Sequence, residues 1–132
     1  MRLKRLFTSG AVAMALAVSC AAATVGTAHA DESTLTWEPL TTTHWVGLYS
    51  MPDASSAKVP WADLRPGGDA VQYDCWKAGA YIGSAGDVWY HTWRAFYRLT
   101  GYTAYVYPAW TFAPYVDGAA DFHNHTIPQC NF

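Results

Sequence analysis

Between His44 and Trp110 short apolar runs alternate with clusters of turn formers. Trp45-Val46-Gly47-Leu48-Tyr49 is apolar and reads as a short strand. Ser50–Lys58, with its Ser, Pro and Asp residues, reads as a loop. Val59–Leu64 reads as a second short strand. Pro60 has no amide hydrogen to donate, which confines it to an edge or a strand start. Arg65-Pro66-Gly67-Gly68-Asp69 is a turn signal. Ala70–Trp76 then alternates cleanly, with Val71, Tyr73 and Cys75 on one face and Gln72 and Asp74 on the other.

Lys77–Gly86 carries three glycines and reads as a long hairpin loop. Val88–Tyr97 is dense in aromatic and β-branched residues. A helix can be drawn over His91–Leu99, but the rings favour a strand. Arg98–Gly101 is a turn and Tyr102–Tyr107 a strand. Pro108-Ala109-Trp110 is expected to stop that strand, with Trp110 on a single helical turn. Thr111–Phe132 has no clear period and reads as a tail wrapped over the body. Residues 31–43 read as a loosely ordered leader. Five short strands in about 60 residues argue an all-β fold, a small partly open barrel rather than a sandwich.

The first thirty residues stand apart. Arg2, Lys4 and Arg5 precede an Ala-rich apolar run, and Ala28-His29-Ala30 offers small residues where a signal peptidase reads. This is the pattern of a secretory signal peptide cleaved before Asp31. A retained membrane anchor is the alternative, but the flank is a cleavage-type site and not a stop-transfer pattern. Lipid attachment at Cys20 lacks the usual Leu three places earlier, where Ala17 stands. Asp31–Phe132 then forms one domain of 102 residues, destined for the outside of the cell. It holds five basic and ten acidic side chains. That balance argues against nucleic acid and against binding to anionic lipid, and no membrane association is expected after cleavage. Cys75 and Cys130 are the two thiols left, and in an exported chain they are expected to form one disulfide.

The order Leu48-Tyr49-Ser50-Met51-Pro52, then Lys58-Val59, then Leu64-Arg65-Pro66-Gly67-Gly68 and Val71, resembles the bacterial SH3 domain. There a strand enters a Ser-x-Pro loop, and a Leu-x-x-Gly turn precedes the next strand. Asp87-Val88-Trp89-Tyr90 is similar to the family's Trp-Tyr strand, and Tyr105-Val106 with Trp110 to its closing strand and terminal aromatic. The resemblance covers 44–111 and leaves 31–43 and the tail 112–132 outside. The chain departs from the family at Leu48–Pro52, where an Asn-Val-Arg-Ser-Gly-Pro form is usual, and in the longer segment Thr92–Thr100. The resemblance implies a small SH3-like five-stranded barrel that is secreted, is not an enzyme, and binds cell-wall peptides or carries a linked enzyme to the wall.

Residues 31–132 hold twenty aromatic rings, more than a barrel of this size buries. Val71, Tyr73, Val88 or Trp89, and Val106 are the core candidates. Val106 shares a face with Ala104 and Tyr102, so Tyr105 and Tyr107 point the other way. The candidate ligand surface is Tyr49, Trp61, Trp89, Tyr90, Tyr105, Tyr107 and Trp110, with Asp53 and Asp87 as polar partners. The alternative is that the stapled tail covers these rings. His123 and His125 could join His44, His91 or Asp121 around a metal, but nothing else has ligand spacing, and neither metal nor cofactor is assigned. Asp74-Cys75 with a distant His123 or His125 suggests a cysteine hydrolase of the cell wall. The strand pattern around Cys75 and its disulfide partner argue against that. The expectation is therefore a monomeric, non-catalytic binding module for cell-wall peptidoglycan, peptide or glycan. A secreted protein-binding factor or inhibitor, acting on a secreted or cell-surface protein, is the alternative.

Overall fold

A computed structural model describes residues 35–132. The leader 1–30 and the first residues of 31–43 lie outside the described residues, and so does the signal-peptide reading. The fold is mostly β. A four-stranded antiparallel sheet has the order β1 (Glu38–Pro39), β2 (Ala70–Ala78), β3 (Val88–Tyr97) and β4 (Tyr102–Phe112). A 3-10 turn at Ala113–Tyr115 and one short helix, α1 (Ala120–His123), follow. The β3 boundaries match the ring-rich run, since aromatic and β-branched side chains pack well on a pleated surface. Gly101 sits at φ 67°, and its N–H reaches the Tyr97 carbonyl at 2.9 Å to close the β3–β4 hairpin. Only a glycine takes that left-handed position without strain.

Both long pairings are interrupted at one place. Gln72 opposes Arg94 and Tyr73 opposes Thr92, so Trp93 has no partner on β2. Tyr73 opposes Thr92 and Cys75 opposes His91, so Asp74 is skipped in turn. On the other side of β3, Thr92 opposes Ala109 and Arg94 opposes Tyr105. Val106, Tyr107 and Pro108 therefore bulge opposite Trp93. This corrects the expectation that Pro108 ends the strand. The ladder is already broken there, so the missing amide hydrogen removes no bond, and β4 runs on through Trp110 to Phe112. The Tyr107–Pro108 peptide is cis. Trp110 consequently lies in the strand, and the single helical turn comes three residues later.

The expected five-stranded barrel is not formed; the sheet has four strands and is open. Residues 45–49 and 59–64 form no continuous ladder, and their strand-like pairing is limited to isolated bridges, Val46 with Leu64, and Tyr49 with both Lys58 and Trp110. Pro60 and the left-handed Trp61, at φ 59°, prevent the second segment from running as a regular strand. The leader departs from expectation in the opposite direction. Glu38 and Pro39 pair with Val71 and Ala70, Leu40 is buried, and the Thr41 N–H donates to Val116 at 2.7 Å.

The main core lies on one side of the sheet, around Val46, Leu48, Leu64, Val71, Tyr73, Tyr90 and Val106. The tail closes it. Ala113, Val116 and Ala119 join the same cluster, with Phe122 and Ile127 packed against it. Tyr73 and Tyr90 stack with centroids 4.2 Å apart. Their hydroxyls donate to Asp121 at 2.6 Å and Asp117 at 3.0 Å, so each buried phenol finds a partner on the tail. Burial first, and then the neighbouring carboxylates, push both phenol pKa values far up and keep these donors protonated. Cys75 and Cys130 form the expected disulfide, flanked by the Trp76 N–H to Pro128 bond (3.0 Å) and the Cys130 N–H to Trp76 bond (2.8 Å). A smaller cluster, Trp89, Trp110 and Phe112, forms a second centre with Tyr49 and Ile82 against it.

Candidate functional site

An open groove of about 940 Å³ lies between the second short segment and the sheet. One wall is the segment 58–65, and the other is the β3–β4 hairpin with Tyr97, Tyr102, Ala104, Tyr105 and Val106. The first wall is held at several points. The Val59 N–H donates to Leu48 (2.8 Å), Leu64 and Val46 exchange two backbone bonds, and the Tyr97 hydroxyl donates to the Ala62 carbonyl at 3.0 Å. Burial, then the charges of Asp69 and Asp63, push the Tyr97 pKa up to about 12, so this strut stays protonated across ordinary pH.

This rigid segment presents Trp61, whose side chain is 102% exposed on a left-handed backbone. A non-glycine residue there is strained by about 1–2 kcal/mol and hides none of its apolar surface. Trp45 (58% exposed) stands nearby with the Arg65 guanidinium 5.2 Å over its ring. Across the groove Tyr102 and Tyr105 are exposed. The charges of the lining are engaged within the protein. Lys58 pairs with Asp63 at 2.8 Å, which first of all holds the Lys58 pKa up. The Asp69 carboxylate accepts the Arg65 and Arg98 backbone N–H groups at 2.7 and 2.9 Å.

The proposed surface residues divide. Trp61 and Tyr105 come together in the groove. Tyr107 stands outside the groove lining, stacked on Trp93 at 4.4 Å, with Tyr105 6.2 Å from both. The tail crosses the main core and leaves Tyr105 and Tyr107 exposed. Trp89, Tyr90 and Trp110 are corrections: all three are buried and serve the two cores, where ring burial is worth more than display. Tyr49 is half-buried, edge-on to Trp89 at 5.8 Å, with the Lys58 ammonium 5.8 Å over its ring. Asp53 shapes its own loop, accepting the Ser55 N–H and hydroxyl at 2.8 Å each, and these bonds lower its pKa. The half-buried Asp87 accepts the Gly79 N–H through its backbone carbonyl (2.7 Å) and stands away from the groove lining. The residues missed are Trp45, Tyr97 and Tyr102. Their ring type was the available signal, but their meeting depends on a gap between non-neighbouring segments.

A second polar centre sits where the bulges meet. The skipped Asp74 accepts a hydrogen bond from, or shares a proton with, His91 Nδ1 at 2.9 Å, and both are buried. Tyr107, Trp110 and Phe132 surround the imidazole with centroids 5.0–5.2 Å away. Burial alone would raise the Asp74 pKa. The His91 bond, the nearby Trp93 indole and the imidazole charge outweigh it, and the carboxyl is held below its ordinary value. Trp93 Nε1 makes no hydrogen bond of good geometry, so its effect on Asp74 is one of proximity. Asp74, Cys75 and His91 place three potential ligand atoms within 4.8 Å of one another. Cys75 is tied in the disulfide and has no thiolate to offer a metal or to attack a substrate. His123 and His125 are exposed on the tail, away from this cluster. No helix among the described residues is long and apolar enough to cross a membrane.

No protein-family model, no curated protein and no solved structure matches this chain.

Proposed function

We propose that the protein is a secreted, non-catalytic binding module, SH3-like in plan, that takes cell-wall peptide or glycan in the groove between segment 58–65 and the β3–β4 hairpin. The carrying observation is Trp61. A fully exposed indole on a strained backbone, held on a segment pinned from several sides, has no role in stability and is placed as a contact residue. The bridges from Val46 to Leu64 and from Tyr49 to Lys58 and Trp110 support the SH3-like plan, since they pair the two short segments with each other and the first of them with β4. Recognition then rests on stacking and shape in a mostly preformed groove. Sedimentation of residues 31–132 with purified cell-wall sacculi tests the proposal. The protein pellets with the wall, and Trp61→Ala reduces the bound fraction at least tenfold. A wild-type protein that stays in the supernatant overturns it.

The unused edge of β4 favours a second reading, a secreted protein-binding factor or inhibitor in which the same groove receives a protein segment. Retention of a secreted or cell-surface protein without retention on sacculi would select it.

A further inference from the structure

β4 is the last strand of the sheet, and among the described residues its outer side is bridged by other backbone at Trp110, through the two Tyr49–Trp110 bonds of 2.9 and 2.8 Å. From Tyr102 to Tyr107 the outer edge pairs with no other strand among the described residues. Tyr102, Ala104, Tyr105 and Val106 of this stretch line the groove. An open edge displays backbone N–H and C=O groups in a fixed alternation, which only another extended backbone matches along its length. Proteins usually blunt such edges with charge or cover. Here Tyr102, Thr103, Ala104, Tyr105, Val106 and Tyr107 carry no charge, and on the facing wall Lys58 pairs with Asp63 while the Arg65 guanidinium lies over the Trp45 ring.

We infer that the groove binds an extended, uncharged peptide segment that adds to the outer edge of β4 as a further strand, between that edge and Trp61. This deepens the binding-module reading and rests on it. Main-chain hydrogen bonds to Tyr102–Val106 supply the register, and Trp61 and Tyr105 supply the faces on which alternate side chains rest. The Lys58–Asp63 pair and the Asp69 carboxylate are already engaged, the Arg65 guanidinium lies over Trp45, and the β4 edge itself carries no charge, so a charged side chain laid along that edge loses water without an ionic partner there.

The test uses residues 31–132 and an array of end-capped seven-residue peptides built from uncharged amino acids. Peptides bind, and one titrated in solution keeps its affinity within twofold between 50 and 500 mM salt, an order-of-magnitude expectation for contacts without ion pairs. N-methylation at every second amide of that peptide lowers affinity at least tenfold, while methylation at the intervening amides does not. Trp61→Ala weakens binding without moving the unfolding midpoint. Equal effects of methylation at both sets of amides overturn strand addition. Binding to β-linked N-acetylglucosamine oligomers with no binding to any peptide overturns the peptide proposal and leaves the wall-binding reading standing. Failure on peptides, oligomers and sacculi alike overturns both.

Discussion

Tyr73 and Tyr90 on one side, and Tyr102 and Tyr105 on the other, are four tyrosines of one sheet with opposite fates. The first pair is buried and stacked, and each hydroxyl meets a carboxylate brought by the tail. The second pair stands 61% and 58% exposed near the turn of the hairpin. Residue type does not separate them. What does is whether a later segment supplies both apolar cover and a hydrogen-bond partner. The tail supplies both for Tyr73 and Tyr90. Segment 58–65 approaches Tyr102 and Tyr105 but leaves a groove. A ring on a sheet becomes core or contact surface according to what the rest of the chain lays over it.

The sharpest way to break this contrast is to remove a ring from each region. Trp89 is fully buried, edge-on to Phe112 at 5.2 Å, with its indole N–H on the Ala80 carbonyl at 2.9 Å. Trp89→Ala should lose about 3–5 kcal/mol in urea unfolding. Tyr105→Ala should stay within about 0.5 kcal/mol of wild type. Comparable losses from the two would show that the exposed rings are structural after all.

The tail is the next lever, because it is what buries Tyr73 and Tyr90. Cys130→Ser opens a loop of sequence separation 55, worth about 4 kcal/mol at most on loop entropy. It should lower the unfolding midpoint and increase the exposure of Tyr90 to solvent quenchers, leaving Tyr105 unchanged. Removing one hydroxyl is a finer cut. Tyr90→Phe keeps the ring but takes a donor from Asp117 and an acceptor from the Phe122 N–H (3.3 Å), at about 1–3 kcal/mol. A loss below about 0.3 kcal/mol would mean that solvent replaces the phenol freely and that the tail is looser than its contacts suggest.

Acid should weaken the sheet where Asp74 is buried against His91. The folded Asp74 carboxyl titrates below its ordinary value of 3.8, although burial, its largest single influence, works in the other direction. A group with a lowered folded pKa stabilises the fold above the unfolded value, and that stability is lost as pH falls through the folded value. Stability measured from pH 6 down to pH 2 should therefore decline below about pH 4, and Asp74→Asn should flatten that limb. An unchanged acid limb in the variant would assign the decline to other carboxyls.

Much of this architecture was legible from residue pattern. The existence of β2, the ring-rich β3, the turn at Arg98–Gly101 and the disulfide are local or pairwise features, and sequence carries such features directly, whereas the simple β2 alternation is not kept, since Ala70 through Cys75 are all buried. The bulge was not legible. Pro108 reads as a stop on a regular ladder, and nothing local announces that Trp93 and Asp74 drop out of register together. The pairing of Glu38 and Pro39 with β2 and the groove itself were equally hidden, because both are set by segments far apart in sequence. Trp61 and Tyr105 were visible as surplus rings. Trp45 and Tyr102 could be added only once the gap between them was seen.

The smallest expected effect on stability falls at Trp61, where it separates function from folding. An exposed indole contributes no burial, so Trp61→Ala leaves the groove's backbone in its left-handed turn and its stability near wild type. Trp61→Gly removes the Cβ that makes φ 59° unfavourable. The glycine also loosens the unfolded chain, so the net gain over alanine is about 0.5–1 kcal/mol. Both variants remove the same ring and should lose ligand retention equally. Paired measurements of unfolding and binding then give a clear pattern: two proteins of different stability and equal loss of binding. If retention instead followed stability, with the glycine variant recovering what the alanine variant lost, Trp61 would act by shaping the loop, and the contact surface would have to be sought on Tyr102 and Tyr105 alone.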